Sequence, residues 1–310
     1  MAEVPGTFDA GKDARFPASG AAHRRLRARM VLFLCGMLLP GVALAEEAAL
    51  PVSLAAQEKL ALRSQEHRTW VLNLGILAGV TAYGFSTWSW GESGFKTSSE
   101  GWFGRGTEHG GADKLGHAYT GAVVAAATGS LYRHWGYESQ RAAELSALSS
   151  LLLTGAVEIG DGFSQDYGFS WEDQVSNVAG IGLEYLRQRY PALGERVQFR
   201  WEYLPSPAVR HRRHTDLTTD YSGSRYLLAF PLRAWAGEDS ALRWLELQVG
   251  YGTRGFGKED LAYFDRRTRH PFVGVGIHIP GVIKRLGAAR GAQRAFEHIQ
   301  VPWTALPPPP

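Results

Sequence analysis

Residues 183–203 read LEYLRQRYPALGERVQFRWEY, and the fold class turns on this stretch. A helical pattern that begins at Trp171 runs to Tyr190 and stops at Pro191, whose ring lacks an N–H and pushes the preceding residue out of the helical region. From Val197 the period changes to two. Val197, Phe199, Trp201 and Tyr203 alternate with Gln198, Arg200 and Glu202, which is the pattern of a strand. The chain therefore reads as an α+β protein: a bundle of about four helices followed by a small antiparallel sheet.

Upstream of that switch the spacing predicts a polar helix over 46–68 that leads into the apolar stretch Trp70 to Phe85. Further helices are predicted over Asp113 to Trp135 and Gln140 to Ile159. Their apolar cores fall short of the ~20 residues of a spanning helix, which favours buried or re-entrant helices. Gly121, Ala125 and Gly129, and then Ser176 and Gly180, recur at spacings that let helix backbones approach closely. Residues 86–112, rich in glycine and carrying Trp88, Trp90, Phe95, Trp102 and Phe103, read either as a loop over the bundle mouth or as a belt at a membrane interface.

Downstream, alternation recurs at Tyr226 to Leu232, Leu245 to Tyr251 and Val273 to Ile279, giving about four strands with the apolar residues on one buried face. Four strands are too few to close a membrane barrel, which takes about eight. Ile283 to Ile299 reads as a basic helical tail, and Pro307 to Pro310 as its end. The expected organisation is a signal region 1–45, a helical bundle 46–192, a β extension 193–282 and a tail 283–310.

The start of the chain carries the three parts of an export signal: basic His23 to Arg29, apolar Val31 to Leu39, and the small-residue cleavage site Ala43-Leu44-Ala45. Residues 1–45 hold six of the 33 Lys and Arg and three of the 30 Asp and Glu, so removing them leaves 27 of each. A neutral mature chain argues against nucleic acid as a partner. Cys35 is the single cysteine and lies within the signal, so the mature chain has neither a disulfide nor a thiol nucleophile.

Three helices carry polar residues at spacings of three or four, which share a face. Asp113 and His117, with Lys114 beside them, open the second helix. Glu158 and Asp161 close the third, and Asp173 and Asn177 open the fourth. Convergent Asp, Glu and His from neighbouring helices are how bundles build metal sites, and His117, Glu158, Asp161 and Asp173 suit a divalent cation. The same residues also serve as general acids and bases, or as a satisfied network that fixes helix register. Asp113 is placed to cap its helix, Ser170 to cap the fourth, and Asp161, between Gly160 and Gly162, to lie in a helix-ending turn.

The segments DKLGHAYT (113–120), EIGDGFS (158–164) and GFSWEDQVSNVAG (168–180) resemble the core of the uncharacterised YfiM-type family of periplasmic lipoproteins. DYSG (220–223) and VGYG (249–252) are similar to later blocks of its longer members, and the order of polar residues is more distantly similar to VanZ-like membrane proteins. The resemblance implies an envelope location and a helical core, and no activity. The chain departs from the lipoprotein pattern because Leu32-Phe33-Leu34 precedes Cys35 where lipid attachment wants small residues.

Three functions remain open from the sequence. One is a non-enzymatic envelope protein, peripheral to or partly embedded in a membrane, whose polar cluster sets packing or binds an ion or headgroup. The second is a metal-assisted hydrolase of lipid or cell-wall headgroups. The third is a scaffold for an envelope complex. Membrane lipid or an envelope protein is the expected partner, and periplasm or outer membrane the expected location.

Overall fold

The computed structural model describes residues 54–213 and 217–308. The signal region, the start of the first predicted helix and His214 lie outside them. Helix α1 spans Leu54–Thr87, α2 Ala112–His134, α3 Ser139–Gly162 and α4 Trp171–Arg189. Each start and stop has a local cause. Gly111 (φ 89°) precedes α2, and Gly136 (φ 88°) follows it, a left-handed conformation that glycine adopts without a Cβ clash. Ser170 caps α4, its Oγ accepting from Asp173 N–H at 3.2 Å, and Pro191 starts the short helix α5 (Pro191–Arg196). The helices α1 and α3 run longer than their apolar cores, long and apolar enough by length and composition to cross a membrane.

Helices α2, α3 and α4 pack on one another through small residues. A Cβ at Gly180 would fall inside the Ala118 backbone, and one at Gly121 would sit 2.8 Å from the Asn177 carbonyl oxygen. What this packing buries is largely polar. Helix α3 turns Ser146, Ser149, Ser150, Thr154 and Glu158 inward and leaves Leu148, Leu151, Leu152 and Ile159 outside. Helix α4 buries Glu172, Asp173, Ser176, Asn177, Glu184 and Arg187 while exposing Trp171, Val175, Val178 and Leu186. The inward hydroxyls are satisfied by close partners. Ser150 donates to the Gly121 carbonyl at 2.8 Å, and Tyr132 and Ser149 share a hydroxyl bond of 2.7 Å.

Among the described residues the sheet has six strands, where the alternation predicts about four. Strands β1 (Gln198–Tyr203), β2 (Ser224–Pro231), β3 (Leu245–Arg254) and β4 (Thr268–Ile277) pair antiparallel in sequence order. Two-residue strands β5 (Ile299–Gln300) and β6 (Ala305–Leu306) lie at opposite edges, β5 parallel to β1 and β6 antiparallel to β4. Only residues 301–304 separate them, so the sheet curls until its edges are bridged by one turn, where Gln300 Nε2 donates to Thr304 Oγ1 at 2.7 Å. The expected basic helical tail is accordingly two short helices, Ile279–Arg285 and Arg290–Ala295, ahead of these strands.

The curl also reverses the expected burial. The inside of the sheet holds Gln198, Arg200, Glu202, Glu246, Gln248 and Gln300, all buried. Arg200 is fully enclosed. Its guanidinium donates to both Glu246 carboxylate oxygens at 2.7 and 2.9 Å, to Gln300 Oε1 at 2.8 Å and to Gln198 Oε1. His278 Nδ1 reaches the same carboxylate at 3.1 Å. The apolar alternation faces outward. On β1 and β2 it meets α2 and α4, where Phe199 and Tyr226 pack with Ala122 and Tyr119 of α2 and Leu183 of α4. On β3 and β4 it is open, with Val249 49% and Val273 74% exposed.

Candidate functional site

The polar residues of α2, α3 and α4 converge at one end of the bundle, under the loop that joins α1 to α2. Lys114 is 2% exposed and organises the cluster. Its Nζ donates to Asp113 Oδ2 at 2.7 Å, Asp173 Oδ1 at 2.7 Å and Glu100 Oε2 at 2.8 Å. Burial alone would lower its pKa, but the three carboxylates outweigh burial and push it up, so it stays charged. Burial raises Glu100 too, and there the bond to and charge of Lys114 prevail and hold it low. Asp113 comes out raised, burial winning over Lys114.

His117 sits one turn along α2 with 30% of its side chain exposed. Its Nδ1 lies 3.3 Å from Glu158 Oε1, and its Nε2 lies 3.6 Å from the Asp173 oxygen that also receives Lys114. Asn177 Nδ2 donates to Glu158 Oε1 at 3.3 Å, while Asn177 Oδ1 is buried with no hydrogen-bond partner among the described residues. Burial lifts the Glu158 pKa to about 8, helped by the charges of Asp173 and Asp161. Asp161 is lifted to about 6 by burial, against the bond it accepts from Trp90 Nε1 at 2.8 Å.

All seven residues singled out in the sequence therefore lie in this region. Asp113 is not a cap: no side chain caps α2, and the Asp113 carboxylate is spent on Lys114. Asp161 lies in the last turn of α3, the helix-ending position expected from the glycines on either side of it. One histidine nitrogen and one oxygen each from Glu158 and Asp173 lie within 4.8 Å of one another, close enough to share a cation. Asp161 stands outside that trio. Glu100, Asp113 and Asp173 form a second trio, in which the Lys114 ammonium already supplies the positive charge.

Two residues of the site were missed from the sequence, Glu100 and Trp90. Both come from the 88–111 loop, which packs on the bundle: Trp90 is buried, Phe95 meets Phe163 edge-on, and Trp102 meets Trp171. The available signal was the polar run Thr97-Ser98-Ser99-Glu100, whose hydroxyls and carboxylate are too many for a bare apolar loop. Ser99 Oγ donates to Glu172 Oε1 at 2.7 Å, fastening that run to the start of α4.

Residues 99–189, which hold this whole cluster apart from Trp90, match a family described as predicted periplasmic lipoproteins (DUF2279). The match covers α2, α3 and α4 and stops before the sheet. It agrees with the resemblance drawn from the motifs and with an exported envelope protein, periplasmic or outer-membrane-associated. Neither the curated proteins nor the solved structures gave a match.

Proposed function

We propose, with the match of residues 99–189 to that envelope family as premise, that the chain is a non-enzymatic envelope protein partly embedded in a membrane. Its Lys114 network fixes the packing of α2, α3 and α4, and its His117–Glu158–Asp173 corner takes up a divalent cation. The observation that carries the membrane part is the reversed burial. In water, leaving Val249, Val273, Val275 and Ile277 outside a sheet that encloses Arg200 and Glu246 forgoes burial of about 25 cal/mol for each Å² of apolar surface. In contact with lipid the same arrangement costs nothing, and polar-in, apolar-out is how sheets meet a bilayer. Helices α3 and α4 repeat the pattern.

For the cation, support comes from chemistry and from the unpartnered Asn177 Oδ1. Asp113, Glu100, Asp173, Glu158 and Asp161 face one lysine and one histidine, and Glu158 responds by holding a proton. A cation at the His117 corner supplies the missing charge, with Glu158 and Asp173 as oxygen ligands.

Two measurements test this. The mature chain is expected to float with vesicles of phosphatidylethanolamine and phosphatidylglycerol, and Val249→Arg with Val273→Arg to reduce that partition about tenfold or more. A wild-type chain that stays monodisperse in buffer without lipid or detergent would remove the membrane part. Elemental analysis of the purified protein is expected to find a divalent metal, lost together with thermal stability in His117→Ala. A stable, folded His117→Ala protein with its metal retained counts against the corner as a cation site.

A metal-assisted hydrolase remains the second reading, favoured by one feature. Glu158 keeps a proton near neutral pH beside a partly exposed histidine, a pairing able to act as acid and base on a headgroup ester. Under that reading His117→Ala leaves a stable protein that has lost hydrolysis of such esters.

A further inference from the structure

The His117 corner has a fourth polar side chain within reach. Asn177 stands one helical turn after Asp173 on α4, is 1% exposed, and lies where Gly121 lets α2 and α4 approach. A Cβ at Gly121 would sit 2.8 Å from the Asn177 carbonyl oxygen, so the side chain is carried on a close helix contact. Asn177 Nδ2 is 3.3 Å from Glu158 Oε1, and His117 Nδ1 is 3.3 Å from the same oxygen. Ligands held about 2.0–2.2 Å from one ion stand about 2.8–3.6 Å apart. These three atoms already have the spacing of a coordination sphere.

Only the end of the amide that faces Glu158 is wrong for an ion. An amide N–H2 offers a cation nothing, an amide oxygen is a good ligand, and the two ends have nearly the same shape. Among the described residues the side chain is held by its one bond to Glu158, and Oδ1 has no partner. Turning the amide over puts Nδ2 where Oδ1 was, so one buried atom lacks a partner in either orientation. A doubly charged ion beside Glu158 Oε1 repels the N–H groups and attracts the oxygen, which decides between the two.

We propose that Asn177 turns its Oδ1 onto the cation and sets which class of cation the corner prefers, an inference that rests on the corner holding a divalent cation at all. With His117, Glu158, Asp173 and one water, a four-coordinate ion such as zinc is complete. A six-coordinate, oxygen-preferring ion of the magnesium and manganese class takes the amide oxygen as well, and draws its remaining ligands from water on the exposed side of His117. Asn177 therefore contributes to binding of the second class and little to the first.

The test is calorimetric titration of the metal-free mature chain with Mn2+ and, separately, with Zn2+. Asn177→Leu is expected to weaken Mn2+ about tenfold or more and Zn2+ by less than about threefold. Waters on the bound Mn2+, counted by electron spin resonance in isotopically labelled water, are expected to rise by one in the same variant. Asn177→Asp keeps an oxygen at that place and is expected to bind Mn2+ at least as tightly as the wild type. Equal weakening of both ions in Asn177→Leu, or an unchanged water count, overturns the role of Asn177 and leaves the corner a cation site. Should leucine unfold the bundle, a folded Asn177→Asp protein that has lost Mn2+ overturns it instead. A wild-type chain that binds neither ion removes the cation corner itself, and this inference with it.

Discussion

Lys114→Met is expected to cost about 3–5 kcal/mol, enough to leave much of the bundle unfolded at physiological temperature. Methionine matches the length of the lysine stem, so little of the loss comes from packing. What is lost is the buried ammonium that Glu100, Asp113 and Asp173 share at 2.7–2.8 Å. Those carboxylates must then take up protons, draw in water or separate, and each course opens the contact between α2 and α4. The denaturant midpoint of the purified chain in detergent measures this. Adding Asp113→Asn and Asp173→Asn to Lys114→Met is expected to recover part of the stability, since neutral amides can bond one another. A Lys114→Met protein whose Tm stays within about a degree of the wild type would show that the ammonium is not what holds the cluster.

The order of elements was legible in the sequence because its signals are local. Pro191 stops one helix, Ser170 starts it, and helical spacing brought Asp113, His117, Glu158 and Asp173 to shared faces before any contact was known. Burial was harder to read. A period of two separates Val249 from Gln248 without saying which one points inward, and hydrophobicity decides that question only in water. The better clue lay in the other half of the alternation. Gln198, Arg200 and Glu202 on β1, with Glu246 and Gln248 on β3, form a set able to satisfy one another's hydrogen bonds, as solvent-facing residues have no need to do. Ser146, Ser149, Ser150 and Thr154 along one face of α3 carry the same message.

Glu100 and Trp90 escaped for a different reason. They reach the site from a loop, where no periodicity ties a residue to a face. The edge strands β5 and β6 are two residues each, too short for any alternation, and their pairing depends on the curl of a sheet assembled from residues as far back as Gln198.

The acid cluster should make the protein less stable as pH rises. Burial, with Asp173 and Asp161 nearby, gives Glu158 a folded pKa of about 8 against an ordinary value of 4.5. The folded state therefore binds this proton more tightly than the unfolded chain does. Its contribution is complete below about pH 4.5 and is lost progressively up to about pH 8. Each unit of difference is worth about 1.4 kcal/mol, so the loss across the window is on the order of a few kcal/mol. Asp161, raised to about 6, adds to the acidic half of that fall. Denaturant midpoints taken from pH 5 to pH 9 are expected to decline and then level off in the metal-free wild type. Glu158→Gln, which cannot ionise, should remove most of the decline above pH 6, where Asp161 no longer contributes. A divalent cation on His117, Glu158 and Asp173 competes with the proton. Saturating metal is therefore expected to flatten the profile, and its uptake at pH 6 to release a proton that Glu158→Gln does not release. Stability that rises over this range, or a Glu158→Gln profile with the wild-type slope, would mean that Glu158 is ionised in the folded protein and balanced by Asn177 and His117 without a bound cation.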